Sequence, residues 1–118
     1  MLQVMEAAAC PAEALTREHR LRDGRTVVIR PVRADDEPGE HRFFDGLSGD
    51  ARYMRFQKSV RKLSDKLIHA FTHIDYDRHM AFVCVARESG RDAVVGEARY
   101  IGEPDGRSCE LGIVIADQ

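Results

Sequence analysis

A single carboxylate lies in the apolar stretch near the end of the sequence, "CELGIVIA", residues 109–116. Alternate residues of a strand point to opposite faces, so Glu110, Gly112 and Val114 share one face. The other face carries Cys109, Leu111, Ile113 and Ile115. A glycine in a strand often marks close approach of a ligand or a second backbone. The residues alone leave two interpretations of Glu110 open: an acid that faces a ligand, or a solvent-exposed acid on an edge strand, where glutamate is common.

The histidines form a second candidate constellation. His69 and His73 are four residues apart in a helical pattern, and Asp75, Asp77 and His79 follow closely. Two histidines at this spacing can bind zinc. The sequence "HAFTH" lacks the glutamate that follows the first histidine in the metalloprotease motif. We therefore interpret the pair as ordinary surface histidines and predict no metal site.

Two further motifs bear on ligand binding. The stretch "RYMRF", residues 52–56, alternates cations with aromatic rings, which would suit stacking on bases or holding an anion. The alternative is a short helix that buries Tyr53 and Phe56 and leaves Arg52 and Arg55 in solvent. The glycines match neither the GxGxxG nor the GxxxxGK[ST] pattern, so no phosphate-binding loop of those kinds is present in the sequence.

Composition narrows the class of protein. The 118 residues suffice for one domain, and the formal net charge of -2 gives no attraction to nucleic acid or to an anionic membrane. Three cysteines, an odd number at no metal-ligand spacing, favour reduced thiols in the cytoplasm. The first 19 residues lack a basic segment and contain Pro11, so we predict a flexible leader over 1–19 rather than a signal peptide, and a domain over 20–118.

The pattern of elements predicts an α+β fold. Strand one falls within 23–32, and a helix that begins at Asp35 or Asp36, with Pro38 in its first turn, runs to about Leu47. The second main helix begins after the N-cap Ser64. Its apolar stripe consists of Leu67, Ile68, Phe71 and Ile74. From residue 79 the pattern becomes extended and predicts a three-strand meander. The expectation is an antiparallel four-stranded sheet with two helices between strands one and two.

This order of elements and several local phrases resemble the first half of the GNAT superfamily of acetyl-CoA-dependent N-acetyltransferases. The phrases are "LRDGRTVVIRPVRADDEP", "LSGDARYMRF", "LSDKLIHAFTHIDYDRHMAFV" and "VVGEARYIGEPDGRSCELGIVIAD". They are most similar to the branch found in bacterial protein-lysine acetyltransferases, and the resemblance covers about residues 20–118.

The resemblance implies a site and a reaction. Glu110 would be the general base for an amine, a protein lysine or a small molecule, which attacks acetyl-CoA directly. The backbone of the strand at Ile113, Val114 and Ile115 would hold the cosubstrate. Tyr53 and Arg55 would border the acceptor. No metal is expected.

The resemblance also sets an expectation for this length of chain. In the family a Q/R-x-x-G-x-G/A loop follows the fourth strand and binds the CoA pyrophosphate, whereas the sequence stops at Gln118. We therefore expect the fragment to be weak or inactive, and its fourth strand to offer an open edge through which a homodimer could form. The alternative is a non-catalytic regulatory or interaction module with half of the fold, dimerising through that edge.

Overall fold

The computed structural model describes residues 10–47, 64–88 and 90–116. In chain order the elements are α1 (Ala12–Leu15), β1 (Arg17–Arg20), β2 (Thr26–Pro31), a 3-10 turn (Ala34–Asp36), α2 (Glu37–Asp45), α3 (Asp65–Thr72), β3 (His79–Glu88), β4 (Arg91–Gly102) and β5 (Cys109–Ile115). The strands form one antiparallel sheet in the order β1-β2-β3-β4-β5. The α+β class and the position of the helices between β2 and β3 agree with the sequence prediction.

The predicted number of strands was wrong by one. The sheet contains five strands because Arg17–Arg20 pairs with β2, with Arg17 opposite Ile29 and Arg20 opposite Thr26. All four residues of β1 are exposed, so the strand lacks the apolar alternation by which a sequence reveals a strand. Gly24, at φ 93°, forms the turn between the two strands. The sheet thus begins inside the stretch that the sequence assigned to a leader.

The two described helices between β2 and β3 follow the predicted signals. Pro38 lies in the first turn of α2, where its missing N–H is tolerated, and the helix ends at Asp45, two residues before the predicted end. Ser64 is the N-cap of α3, and its Oγ accepts a hydrogen bond of 3.1 Å from the backbone N–H of Leu67. The predicted helical turn in "LSGDARYMRF" lies outside the described residues.

One face of the sheet packs against α2 and α3. Val114 of β5 joins a core cluster whose other members are Phe43, Phe44, Leu47, Ile68 and Phe71. A second cluster consists of Val32, Ile74, Ala81 and Val83. On the opposite face Leu111, Ile113 and Ile115 have exposed fractions of 66–69%. One face of β5 is therefore buried against the helices, and the other is exposed.

Among the described helices, none has the length and apolar character that crossing a membrane requires.

Candidate functional site

Glu110 stands near the start of β5, opposite Ile101 of β4, and its side chain is exposed. The predicted alternation of faces is confirmed, since Val114 is buried against the helices whereas Ile113 and Ile115 are exposed. Val114 does not contribute to the surface beside Glu110, because it is only 7% exposed and belongs to the core. Gly112, which is partly buried, is the neighbour on this face that remains accessible to a ligand.

The register shows which backbone groups of β5 point away from the sheet. Ala116 N–H donates to the Val95 carbonyl at 2.8 Å, and Glu103 N–H donates to the Ser108 carbonyl at 2.9 Å. Residues of an antiparallel pair alternate between hydrogen-bonded and non-hydrogen-bonded positions, and no shift interrupts this register. Even-numbered residues of β5 therefore bond to β4. The backbone groups of odd-numbered residues, Ile113 and Ile115 among them, point to the outer edge of β5. We call this edge open because no other strand of residues 10–47, 64–88 and 90–116 pairs with it.

This alternation separates the three predicted cosubstrate contacts into residues that face the edge of the sheet and a residue that faces β4. Ile113 and Ile115 present N–H and C=O groups to the open edge, as a cosubstrate bound along the strand requires. The backbone N–H of Val114 points toward Glu97 on β4. The hydrogen-bond pattern therefore favours Ile113 and Ile115 over Val114 as backbone donors.

A buried charged network lies on the same face of the sheet as Glu110. Arg99 donates to both carboxylate oxygens of Glu97, at 2.7 and 3.0 Å, and to the carbonyl of Phe71 at 2.9 Å. It also donates to His79 Nε2 at 2.7 Å. The guanidinium carbon lies 4.1 Å from the centre of the Phe71 ring. Arg99 is 2% exposed, so these bonds form in a medium of low dielectric.

Glu40 of α2 supplies a second carboxylate to this network. Its Oε1 lies 3.6 Å from Arg99 Nη2, and the side chain is fully buried. Burial first, and then the negative charge of Glu97, raise the pKa of Glu40 to about 9. At neutral pH Glu40 is therefore protonated and can donate to Glu97, and the network balances one carboxylate against one guanidinium.

The sequence prediction missed this network. Its signal was available in "GEARY", where Glu97 and Arg99 stand two apart and so share one face of an otherwise apolar central strand. Glu40 and His79 come from distant elements and carry no local signal. The predicted acceptor contacts Tyr53 and Arg55 lie outside the described residues and stay predictions.

The opposite face of the sheet carries an apolar groove of about 340 Å³. Its lining includes Ile29, Phe82, Cys84, Ile113 and Ile115. The groove flanks the open edge of β5 on the side away from Glu110. The acid and the apolar surface thus lie on opposite sides of the strand.

Two known proteins are similar to this chain. Acetyltransferase PA5475 of Pseudomonas aeruginosa is 38% identical over 97 residues, which is 82% of this chain and 52% of that protein. The crystal structure of the GNAT domain of PAT from S. lividans superposes with a TM-score of 0.72 and 25% identity, over 86% of this chain and 60% of that chain. The chain belongs to the GNAT superfamily.

A further solved structure is less similar. A cAMP-binding acyltransferase from Mycobacterium smegmatis is similar at 24% identity and a TM-score of 0.45, over 87% of this chain and 29% of that chain. No protein-family model matches the sequence. The chain spans about half the length of the curated relative it matches, 52%.

Proposed function

We propose that this chain is part of a cytoplasmic N-acetyltransferase that transfers the acetyl group of acetyl-CoA to an amine, specifically a lysine of a protein. The similarity to the Pseudomonas aeruginosa acetyltransferase supports the reaction class. The observation that carries the proposal is the position of Glu110, exposed beside Gly112 on the strand whose open edge presents Ile113 and Ile115.

The reaction requires a general base, and Glu110 can serve as that base. A lysine amine has a pKa of about 10.4, so at neutral pH it is protonated and cannot attack a thioester. A carboxylate that accepts this proton leaves the nitrogen lone pair free to attack the carbonyl carbon. The new C–N bond forms, the C–S bond breaks, and the sulfur leaves as thiolate, which takes up a proton to give CoA.

The open edge of β5 provides the second requirement. The backbone N–H groups of Ile113 and Ile115 point away from β4 and can donate to a thioester oxygen as negative charge develops on it. At about 3.4 Å per residue, Cα of Ile113 lies about 10 Å from Cα of Glu110. This separation exceeds the reach of a glutamate side chain, so proton transfer to Glu110 would pass through a water molecule.

The residues present fit acetyl-CoA along this edge. Pantetheine contains two amides and can bond to an exposed strand edge as a short additional strand would. The apolar side chains of Ile113 and Ile115 flank that edge and would pack against the pantetheine chain. Tyr53 and Arg55 remain the proposed contacts to the acceptor.

A direct experiment follows the acetyl group. Incubation of the full-length protein that contains this chain with acetyl-CoA and a lysine peptide should yield a peptide heavier by one acetyl group. A peptide with arginine in place of lysine should remain unmodified. In parallel, acetyl-CoA should shift the amide NMR signals of Ile113 and Ile115 more than those of Val114. Transfer equal to the enzyme-free rate, together with unchanged edge amides, would contradict the proposal.

A second candidate is the non-catalytic interaction module. The exposed apolar edge strand favours it, since Leu111, Ile113 and Ile115 offer a surface for another chain. It predicts that acetyl-CoA leaves the melting temperature unchanged and that Glu110→Gln retains full function in binding a partner. A rise in melting temperature with acetyl-CoA would favour the enzyme.

A further inference from the structure

Two histidines and a glutamate from different helices meet at the surface where α2 begins and α3 ends. Glu37 is the first residue of α2, His69 lies in the last turn of α3, and His73 is the C-cap of α3. One ligand atom from each of the three side chains lies within 4.8 Å of the other two. The three residues are brought together by the fold, because Glu37 precedes His69 by 32 positions.

The side chains already contact one another. His69 Nδ1 lies 2.6 Å from Glu37 Oε1, and His73 Nδ1 lies 3.6 Å from the same oxygen. The two imidazole rings stack with their centroids 3.7 Å apart and an interplanar angle of 18°. Two protonated rings would repel each other at this distance, whereas two neutral rings and a carboxylate attract a cation.

We propose that Glu37, His69 and His73 bind a divalent transition-metal cation, with Zn²⁺ the ion that fits best. Two imidazole nitrogens and one carboxylate oxygen form a known zinc ligand set, with water completing the tetrahedron. Such a set places its ligand atoms about 3.3 Å apart, given bonds of about 2.0–2.1 Å. Hard cations such as Mg²⁺ prefer oxygen ligands and would bind poorly.

The structure leaves room for the required adjustment. The side chains of Glu37, His69 and His73 are 35%, 53% and 34% exposed, so small rotations can close the ligand set without disturbing the core. His73 Nδ1 also lies 2.9 Å from the His69 carbonyl. Nδ1 is also the His73 atom that approaches Glu37, so it would exchange this carbonyl contact for the ion when His73 binds through Nδ1.

The site revises the interpretation of the histidine pair. The sequence predicted two surface histidines because the third ligand is not adjacent to them. With Glu37 included, a bound ion would join the start of α2 to the end of α3, the two helices that carry Phe44 and Phe71 of the core. Such a link would stabilise the layer formed by α2 and α3.

Calorimetric titration of ZnCl₂ into the 118-residue chain tests this proposal. A Cys109→Ser background removes the exposed thiol that could bind zinc by itself. We expect one equivalent of Zn²⁺ to bind. His69→Gln and His73→Gln should each weaken zinc binding at least tenfold. Mg²⁺ should give no heat of binding. The matched control is His19→Gln, an exposed histidine on β1, which should bind zinc as the parent does.

Co²⁺ provides an independent readout. Bound in place of zinc, it should give the visible absorption of a tetrahedral complex in the parent and in His19→Gln, and Glu37→Gln should reduce or alter that spectrum. Zinc affinity that is equal in the parent, His69→Gln and His73→Gln would overturn the proposal, as would absence of binding to the parent.

Discussion

Arg99 of β4 lies directly opposite Gly112 of β5, so the buried guanidinium stands beside the strand that carries Glu110. Gly112 presents no side chain to Arg99, and the guanidinium reaches Glu97, His79 and the carbonyl of Phe71. The network therefore joins β4, the strand that pairs with β5, to β3 and α3. Glu110, the proposed base, lies on the strand next to it.

Replacement of Arg99 by methionine should strongly destabilise the fold. Methionine is an apolar side chain of similar length. It leaves Glu97 as a buried carboxylate without its cationic partner. Breaking a buried ion pair on one side typically costs about 3–5 kcal/mol. Urea unfolding followed by circular dichroism would measure the loss.

A matched control for this change is Arg87→Met. Arg87 lies 3.6 Å from Asp92, and both side chains are mostly exposed. Exposed ion pairs contribute less than about 1 kcal/mol, so this variant should unfold close to the parent. Equal stability of the two variants would show that the Arg99 network does not support the sheet.

Glu40 should make stability fall as pH rises. Its pKa is about 9 in the folded chain, raised by burial and by Glu97, against an ordinary value of 4.5. Between these values the folded state holds a proton that the unfolded state loses, so the free energy of unfolding decreases with pH. Arg99, His79 and Asp36 are the other charged or titratable groups near this carboxyl.

Glu40→Gln separates this effect from other titrations. Glutamine keeps the shape of the protonated acid but does not ionise, so the variant should match the parent near pH 5 and exceed its stability near pH 8.5. Urea unfolding across this range, with the exposed Glu18→Gln as control, provides the measurement. Parallel stability curves for the parent and Glu40→Gln would contradict the raised pKa.

In the absence of acetyl-CoA, the open edge of β5 should mediate self-association. The opposite edge, β1, has the sequence "REHR", and its charges discourage pairing with another strand. β5 instead presents the exposed apolar residues Leu111, Ile113 and Ile115. Sedimentation velocity over a range of concentrations should therefore show a monomer and a dimer.

Ile113→Lys places a charge on this edge and should shift the chain toward the monomer, whereas His19→Lys on β1 should leave the distribution unchanged. A parent chain that stays monomeric at high concentration would refute the interface. So would a dimer that is insensitive to Ile113→Lys.

Local signals explain what the sequence could predict. Ser64 as N-cap, Pro38 in a first turn and the extended pattern after residue 79 each depend on residues close in sequence, and the structure contains the corresponding elements. The alternation that separates Glu110 from Ile113 is also local, because it follows from the geometry of any strand.

Features that depend on tertiary structure were not predictable in the same way. β1 is a strand because its backbone pairs with the edge of β2. Its own residues show no apolar alternation. Sequence spacing marks Glu97 with Arg99 and His69 with His73. It does not reveal Glu40 or Glu37, because these acids acquire their partners from other elements. The direction of the Ile113 backbone groups became apparent only from the register with β4.

The most direct test of the central claim is the pH dependence of lysine acetylation by the full-length protein that contains this chain, here the parent, and by its Glu110→Gln variant. General-base catalysis contributes about 10²–10⁴-fold, so near neutral pH the variant should lose at least about 100-fold in kcat/KM. The deficit should shrink as pH approaches the pKa of the amine, because the acceptor then needs no base. Glu103→Gln, an exposed acid just after β4, should retain the parent rate. A Glu110→Gln rate equal to that of the parent near neutral pH would contradict the role of Glu110.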